Sequence, residues 1–484
     1  MEGKKHCFTK NIKKKAAAVL FWLCLWQLAA ILLHNALLFA GPAETAAALF
    51  KEAYKTAFWQ TVGISLLRIL AGFFAAFMLG CILGALSFKF SLFEEILSPF
   101  MLFCKAVPVA SFAVMLLIWW GADRLSAAIC FLVVLPAVYV NFLEGLRHAD
   151  KKLLEMAAVF SMPAKNRLFY IYRPAFAPFM ESCLKTSLGM GIKAGVAAEV
   201  IGIPKWSIGG ELYLSKIYLD TAGVFAWTAV VIALSFFAEK AVLFLWHCFC
   251  RWKPAPAAGK ERTGQGLLSL VLERTEKSYD GGSLFQISKV LEAGHTYCLM
   301  APSGFGKTTL LHILAGTVRA DGGHITVKRT DGRKQPALQD GEKKTVPNGR
   351  GTHLPVSMVF QEDRLCMQES ALMNVELVCG SRKKAEECLR ELLPGEAFHK
   401  PVSKLSGGMR RRVCLARALA VYGEVLLLDE PFNGLDEANR KRAAEVIRRY
   451  GSGRLVIAAT HEEKDAARLC GEVWRPFEKS RIFS

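Results

Sequence analysis

Six long apolar stretches crowd the first half of the chain, over roughly 16–40, 57–87, 96–120, 125–146, 180–203 and 222–250. Each is long enough for a helix to cross a hydrocarbon core about 30 Å thick, which takes about 20 mostly apolar residues. The first is too long for a cleaved signal peptide, and no small-residue cleavage site follows it before the second. Near residue 253 the pattern changes. A stretch rich in Pro, Ala, Gly and charge, 253–266, reads as a linker. From 267 onward short apolar runs and polar segments alternate as in a soluble α/β domain. The expected organisation is therefore a membrane domain over 1–252, a linker over 253–266 and an α/β domain over 267–484.

Charge placement orients the membrane part. Lys4, Lys5, Lys10, Lys13, Lys14 and Lys15 precede the first stretch. Arg147, Lys151, Lys152, Lys165, Arg167 and Arg173 lie between the fourth and fifth, and Arg251, Lys253 and Lys260 follow the sixth. The alternate connections carry balanced charge. Lys and Arg collect in short cytoplasmic loops, so both termini and the α/β domain are expected in the cytoplasm, with the chain multi-pass in the cytoplasmic membrane. The chain has 61 Lys+Arg against 42 Asp+Glu, a net +19. Most of that excess falls in the apolar half, so it reads as a membrane signal rather than a nucleic-acid footprint. A hydrophobic fraction of 53% and a mean hydropathy of +0.28 exclude a disordered or collagen-like chain and argue against a wholly soluble enzyme. Fourteen scattered Cys without CxxC spacing suggest reduced thiols.

Glycines are dense in the second stretch (Gly63, Gly72, Gly80, Gly84) and the fifth (Gly189, Gly191, Gly195). They fit close helix packing or the lining of a substrate path. Arg68, Lys105, Lys193 and Glu199 fall in or near spans, where charge is costly and often functional. Lys193 and Glu199 stand about 240° apart around a helix, so they cannot pair along one face. Each is a candidate for the pathway, with an internal ion pair or snorkelling as the alternative for Lys193.

The α/β half carries three motifs. Ala301, Pro302, Ser303, Gly304, Phe305, Gly306, Lys307, Thr308 and Thr309 follow a strand-like run and precede a helical one. That is the context of a phosphate loop, in which backbone N–H groups and a helix N-terminus cradle phosphate oxygens. Lys307 would reach the β- and γ-phosphates and Thr308 would bind Mg²⁺. Ala301 replaces the first glycine of the usual pattern; its methyl is tolerable if φ stays negative. In VLLLDE a buried strand ends in two carboxylates. Asp429 would hold Mg²⁺, largely through water, and Glu430 would polarise an attacking water. In LSGGMRRR, Ser406, Gly407 and Gly408 open a helix, again an anion-binding geometry, or else a plain helix cap. A second such helix makes sense if it closes over a neighbour's nucleotide.

The phosphate loop, Gln361, LSGGM, VLLLDE, Asp436 in NGLD and His461 occur in the order seen in ATP-binding cassette (ABC) ATPases, which the second half resembles over about 200 residues. The resemblance implies that Tyr279 stacks on adenine, that Gln361 senses Mg²⁺, water and the membrane domain, and that His461 contacts the γ-phosphate. It also implies a dimer in which Ser406, Gly407, Gly408 and Asp436 of one chain meet the nucleotide held by Lys307 of the other. The first half resembles permeases of the nitrate/sulfonate/taurine importer class. The loop over 148–178 resembles their EAA coupling loop, with Glu155, Ala157, Ala158, Ser161 (where a Gly is usual) and Pro174 as the transmitting residues. The fold class expected is an all-α six-helix transmembrane permease domain plus an α/β P-loop NTPase of the ABC cassette type.

By resemblance the chain is a transport ATPase that uses ATP and Mg²⁺ to import a small polar solute: nitrate, a sulfonate, taurine or a pyrimidine precursor of thiamine. Its expected partners are the lipid bilayer, a second copy of itself and a separate extracytoplasmic solute-binding protein, with no nucleic acid. The membrane-then-ATPase order also matches exporter half-transporters, but the EAA-like loop and short cytoplasmic loops argue against export. Glu430 argues against a non-hydrolysing scaffold. A Gly/Lys-rich segment over 330–351 reads as a loop insertion, the stretch from Gln361 to Leu405 as a shortened helical subdomain, and no regulatory domain is expected after His461.

Overall fold

The computed structural model describes residues 2–33, 39–257, 266–279, 282–302, 304–330, 334–336 and 354–476. The chain forms two compact units, Met1–His148 with Ala175–Trp252, and Ala149–Pro174 with Lys253–Ser484.

The first unit is helical. It holds α1 (Glu2–Leu33), α2 (Pro42–Ala53), α3 (Thr56–Lys89), α4 (Ser91–Ala106), α5 (Val109–Trp120) and α6 (Ala122–Arg147). After the inserted segment of the other unit, which carries α7 (Lys151–Val159) and α8 (Ala164–Arg167), come most of α9 (Arg173–Gly202), then α10 (Ile208–Ile217) and α11 (Thr221–Arg251). Among the described residues, α3, α6 and α11 are each long and apolar enough to cross a membrane. The third expected span, 96–120, is broken instead: α4 and α5 meet at a 102° bend. The cause is Val107–Pro108. Pro108 has no N–H to continue the α4 ladder, and Val107 before it is held extended at φ −74°, ψ 131°. The apolar part of α1, Ala17–Leu33, is shorter, and residues 34–38 of the first expected span lie outside the described part.

Helix packing accounts for most of the glycines. A Cβ on Gly72 of α3 would overlap the Ala127 carbonyl oxygen of α6, and one on Gly195 of α9 would lie 2.7 Å from Ile69 Cγ1 of α3. The missing side chain lets the α6 backbone approach at Gly72 and makes room for the Ile69 side chain at Gly195.

The second unit has two sheets. Its strands are β1 (Leu267–Tyr279), β2 (Gly282–Glu292), β3 (Thr296–Met300), β4 (Gly322–Arg329), β5 (Lys334–Pro336), β6 (Val356–Val359), β7 (Val425–Asp429), β8 (Leu455–Thr460) and β9 (Glu472–Trp474). An antiparallel sheet has the order β2-β1-β4-β5, and a parallel sheet the order β6-β7-β8-β3-β9. The helices are α12 (Lys307–Leu314), α13 (Ala371–Cys379), α14 (Arg382–Leu392), α15 (Gly407–Ala420), α16 (Glu437–Gly451) and α17 (Glu463–Leu469). All of β6, β7 and β8 is buried, which is why their sequences read as continuous apolar runs rather than alternating ones. The stretch expected to be a short helical subdomain folds as α13 and α14, capped by Ser370 and Ser381. Of the expected insertion, Lys334–Pro336 pairs with β4; residues 337–353 lie outside the described part.

Candidate functional site

Strand order builds the site. Strands β3, β8 and β7 are neighbours in the parallel sheet, so their C-terminal ends lie side by side. In open parallel sheets ligands bind at that edge. The phosphate loop leaves β3 there, Asp429 and Glu430 end β7, and His461 follows β8.

The loop from Ala301 to Gly306 turns through glycine geometry. Gly304 and Gly306 sit at φ 85° and 93°, in the left-handed region that side chains disfavour. A Cβ on Gly306 would also lie 2.9 Å from Leu284 and Phe285. Ala301 is not among the left-handed residues, so its methyl costs little where a glycine is usual. Lys307, the first residue of α12, is buried, and its ammonium donates to the carbonyls of Ala301 and of Pro302, the latter at 3.1 Å. Burial pulls its pKa down, opposed by the nearby Glu430 and Asp429. Thr308 and Thr309 are half-buried on the first turn of α12. Ser303 lies outside the described residues, as does the Tyr279 side chain; the Tyr279 backbone closes β1.

Asp429 is almost fully buried, and burial pushes its carboxyl up to about 6, against the lowering effect of its hydrogen bond from Thr308. Its Oδ2 has no hydrogen-bond partner. A buried, unsatisfied carboxylate oxygen beside a threonine hydroxyl suits a hard divalent cation, so these residues fit Mg²⁺. Among the described residues no cluster of three or more His, Cys, Asp or Glu offers another metal site. Glu430 adopts φ 47°, its N–H donates to the Ala459 carbonyl at 2.9 Å, and its carboxylate lies 3.8 Å from His461 Nδ1. His461 and Gln361 are exposed.

Ser406 caps α15, accepting from the Met409 N–H at 3.3 Å. Ser406 and Gly407 are exposed and Gly407 faces open space, whereas a Cβ on Gly408 would meet the Gly434 carbonyl at 2.8 Å. Asp436 caps α16, accepting from the Asn439 backbone and side chain, bonds that hold its carboxyl below the usual range.

The inserted segment 149–174 packs within the same unit. Met156, Ala157, Val159, Phe160 and Met162 belong to its hydrophobic core, and Ala158 is half-buried. Helix α7 ends in a Schellman motif: the Ser161 N–H donates to the Ala158 carbonyl at 2.9 Å and the Met162 N–H to the Ala157 carbonyl at 2.8 Å. Ser161 occupies the left-handed position at φ 49°, which explains why a glycine would be the usual residue. Two ion pairs join α7 to the segment after Gln361: Glu155–Arg364 and Lys152–Glu362, both 2.7 Å. Pro174 has no N–H for the Tyr170 carbonyl, and the chain before it forms a π turn, Leu168–Tyr172. The Cys366 thiol donates to the Tyr170 carbonyl instead, at 3.7 Å. The first linker residues are pinned as well: the Tyr170 hydroxyl donates to the Pro254 carbonyl at 2.8 Å, and Lys253 pairs with Glu369 at 2.6 Å.

In the helical unit Glu199 is fully buried. Its carboxylate accepts from Ser65 Oγ at 2.6 Å and from the Gly209 N–H at 3.2 Å. Lys193 is exposed, so the two are not partners, and Arg68 pairs with Asp123 at 3.0 Å.

Sequence pattern alone missed Lys152, Arg364, Arg411 and Arg417. Lys152 stood out only as a cytoplasmic-loop charge and Arg411 only as part of LSGGMRRR, whereas Arg417 leaves its own signal as a lone charge in the apolar run VCLARALA.

This architecture, a helical membrane unit in one polypeptide with a parallel-sheet nucleotide-binding unit, defines a transport ATPase. A model of the ABC transporter family matches residues 284–433, and a model described as the binding-protein-dependent transport system inner membrane component matches residues 76–245. The aliphatic sulfonates import ATP-binding protein SsuB of Cupriavidus necator is 33% identical over 225 residues, 45% of this chain and 69% of that protein. The taurine import ATP-binding protein TauB of Pseudomonas putida is 36% identical over 42% of this chain and 76% of its own length. For the thiamine import ATP-binding protein ThiQ of Chelativorans sp. the figures are 34%, 40% and 76%. The chain therefore belongs to the ABC transporter family. It is an importer-type fusion of an inner-membrane permease with an ATP-binding transport ATPase.

Proposed function

We propose that two copies of this chain form one transporter that hydrolyses ATP to import a small sulfonate-bearing solute of the alkanesulfonate or taurine kind, delivered by a separate extracytoplasmic binding protein. The substrate class follows the relatives that handle sulfonates and taurine. The delivery step follows the family description of the membrane part as binding-protein-dependent. Placement of lysines and arginines supports cytoplasmic termini and a cytoplasmic ATPase unit.

The observation that carries the ATPase reading is the convergence of Lys307, Asp429, Glu430 and His461 at one edge of the parallel sheet. On ATP binding Lys307 exchanges the Ala301 and Pro302 carbonyls for β- and γ-phosphate oxygens. Glu430 orients the attacking water and accepts its proton, and His461 faces the γ-phosphate. Tyr279 stacks on the adenine. Mg²⁺, held by Thr308, Asp429 and Gln361, would neutralise phosphate charge. The exposed helix start at Ser406, Gly407 and Gly408, with Asp436, closes over the second copy's nucleotide. Glu155, Ala157, Ala158, Ser161 and Pro174 carry the resulting motion between the Gln361 segment and the spans. Glu199 holds α10 to α3, and Lys193 is the candidate anion contact on the pathway.

The test is uptake into proteoliposomes that contain ATP and Mg²⁺, with labelled taurine or an alkanesulfonate outside. Uptake should require both ATP and a ligand-loaded binding protein. Full uptake with the binding protein omitted would remove that partner from the scheme, and ATP-dependent efflux would reverse the direction.

A further inference from the structure

The guanidinium of Arg411, on α15, is buried and spans two segments of the ATPase unit. Its Nη1 donates to the carbonyls of Phe360 (2.5 Å) and Gln361 (3.3 Å). Its Nη2 donates to the carbonyls of Asp429 and of Glu430, the latter at 2.7 Å. One side chain thus holds the backbone of the Gln361 segment and the backbone of the two acidic residues that end β7.

The bond to Glu430 falls at a residue in the left-handed region. A non-glycine residue at φ 47° persists only when its surroundings over-determine it. Here the peptide N–H before the Glu430 side chain is fixed on Ala459 and the carbonyl after it on Arg411. Rotation at either peptide would swing the carboxylate. The other end of the link is mechanically exposed, because Glu362 and Arg364 bond Lys152 and Glu155 of α7. Arg417, fully buried six residues further along α15, extends the same tie. It donates to the Arg364 carbonyl at 2.6 Å and the Asp363 carbonyl at 3.2 Å, and lies over the Phe160 ring.

We propose that Arg411 is a positioning residue for hydrolysis: it fixes the aim of the Glu430 carboxylate and makes that aim depend on where α7 holds the Gln361 segment. This deepens the function proposed above and rests on its assignment of Glu430 and Gln361. A lysine cannot substitute. Its ammonium is a point donor, whereas the planar fork of arginine serves carbonyls on two sides at once.

The experiment compares R411K, R411M, E430Q and R411M/E430Q in the full chain, purified and reconstituted in lipid. Steady-state ATPase gives kcat and KM, and equilibrium titration with a fluorescent ATP analogue gives affinity. R411K and R411M should lose about ten- to hundredfold in kcat with ATP affinity changed less than about threefold. The double variant should be little slower than E430Q, since Arg411 acts through Glu430. A normal kcat in R411M, a loss carried in KM or affinity, or multiplicative effects in the double variant would each overturn the role of Arg411. If R411M does not fold, R411Q, which keeps two donors on one nitrogen, carries the same comparison. Undiminished turnover in E430Q would overturn the reading of Glu430 itself, whatever the Arg411 variants do.

Discussion

His461 Nδ1 stands 3.8 Å from a carboxylate oxygen of Glu430, across the ends of the adjacent parallel strands β8 and β7. The carboxylate is half-buried and the imidazole exposed, so a water and a phosphoryl group can reach both. Glu430→Gln keeps the side chain's size but removes the proposed base. It should bind ATP with unchanged affinity and release phosphate about 10²- to 10⁴-fold more slowly. Phosphate release and nucleotide titration on the same preparation check this, and turnover within a few-fold of the parent would take Glu430 out of the reaction.

Lys307 is buried and bonded to the Ala301 and Pro302 carbonyls. Lys307→Ala leaves those carbonyls without that donor and removes a charged contact worth about 1.5–3 kcal/mol, equivalent to about ten- to hundredfold in ATP affinity. The thermal shift produced by ATP should shrink accordingly. A parent-like shift would contradict the phosphate-loop reading.

The Glu155–Arg364 pair links α7 to the segment following Gln361, with Arg364 also stacked 4.1 Å from the Phe360 ring centroid. Reversing one charge sets two like charges face to face. Glu155→Arg should depress ATP-driven uptake several-fold, and Arg364→Glu in the same chain should restore part of it. Absence of any rescue would mean the pair carries no coupling. The attraction itself is worth at most about 1 kcal/mol, because Glu155 is exposed.

Ser161 holds a left-handed backbone at the C′ position of a Schellman motif. That conformation costs a side-chain-bearing residue about 1 kcal/mol relative to glycine. Ser161→Gly should therefore raise the unfolding midpoint of the full chain, by about 1 kcal/mol in stability. A lower midpoint would show that the serine side chain makes a compensating bond.

Much of this protein could be read without coordinates because the decisive signals are local. Twenty or more apolar residues in a row need only their own hydrogen bonds and lipid, so α3, α6 and α11 fall near the stretches marked from pattern. A strand–glycine loop–helix unit can hold phosphate with consecutive backbone N–H groups, so Gly304 to Thr308 stood out as a candidate site, and the structure sets them between β3 and α12. Val107–Pro108 was equally local, yet overall hydropathy hid it, and the expected helix over 96–120 is two helices at a sharp angle.

Partners far apart in the chain were another matter. That Glu199 serves Ser65 and Gly209 rather than Lys193, that segment 149–174 packs with the ATPase unit, and that Arg411 holds four carbonyls from two segments all depend on packing and strand order. The sequence by itself determined which residues are candidates to hold a nucleotide and which segments suit lipid, because those abilities belong to short segments. Only the tertiary structure decided which buried charges are satisfied and by whom, because a guanidinium or carboxylate taken from water must find donors or acceptors wherever the fold brings them.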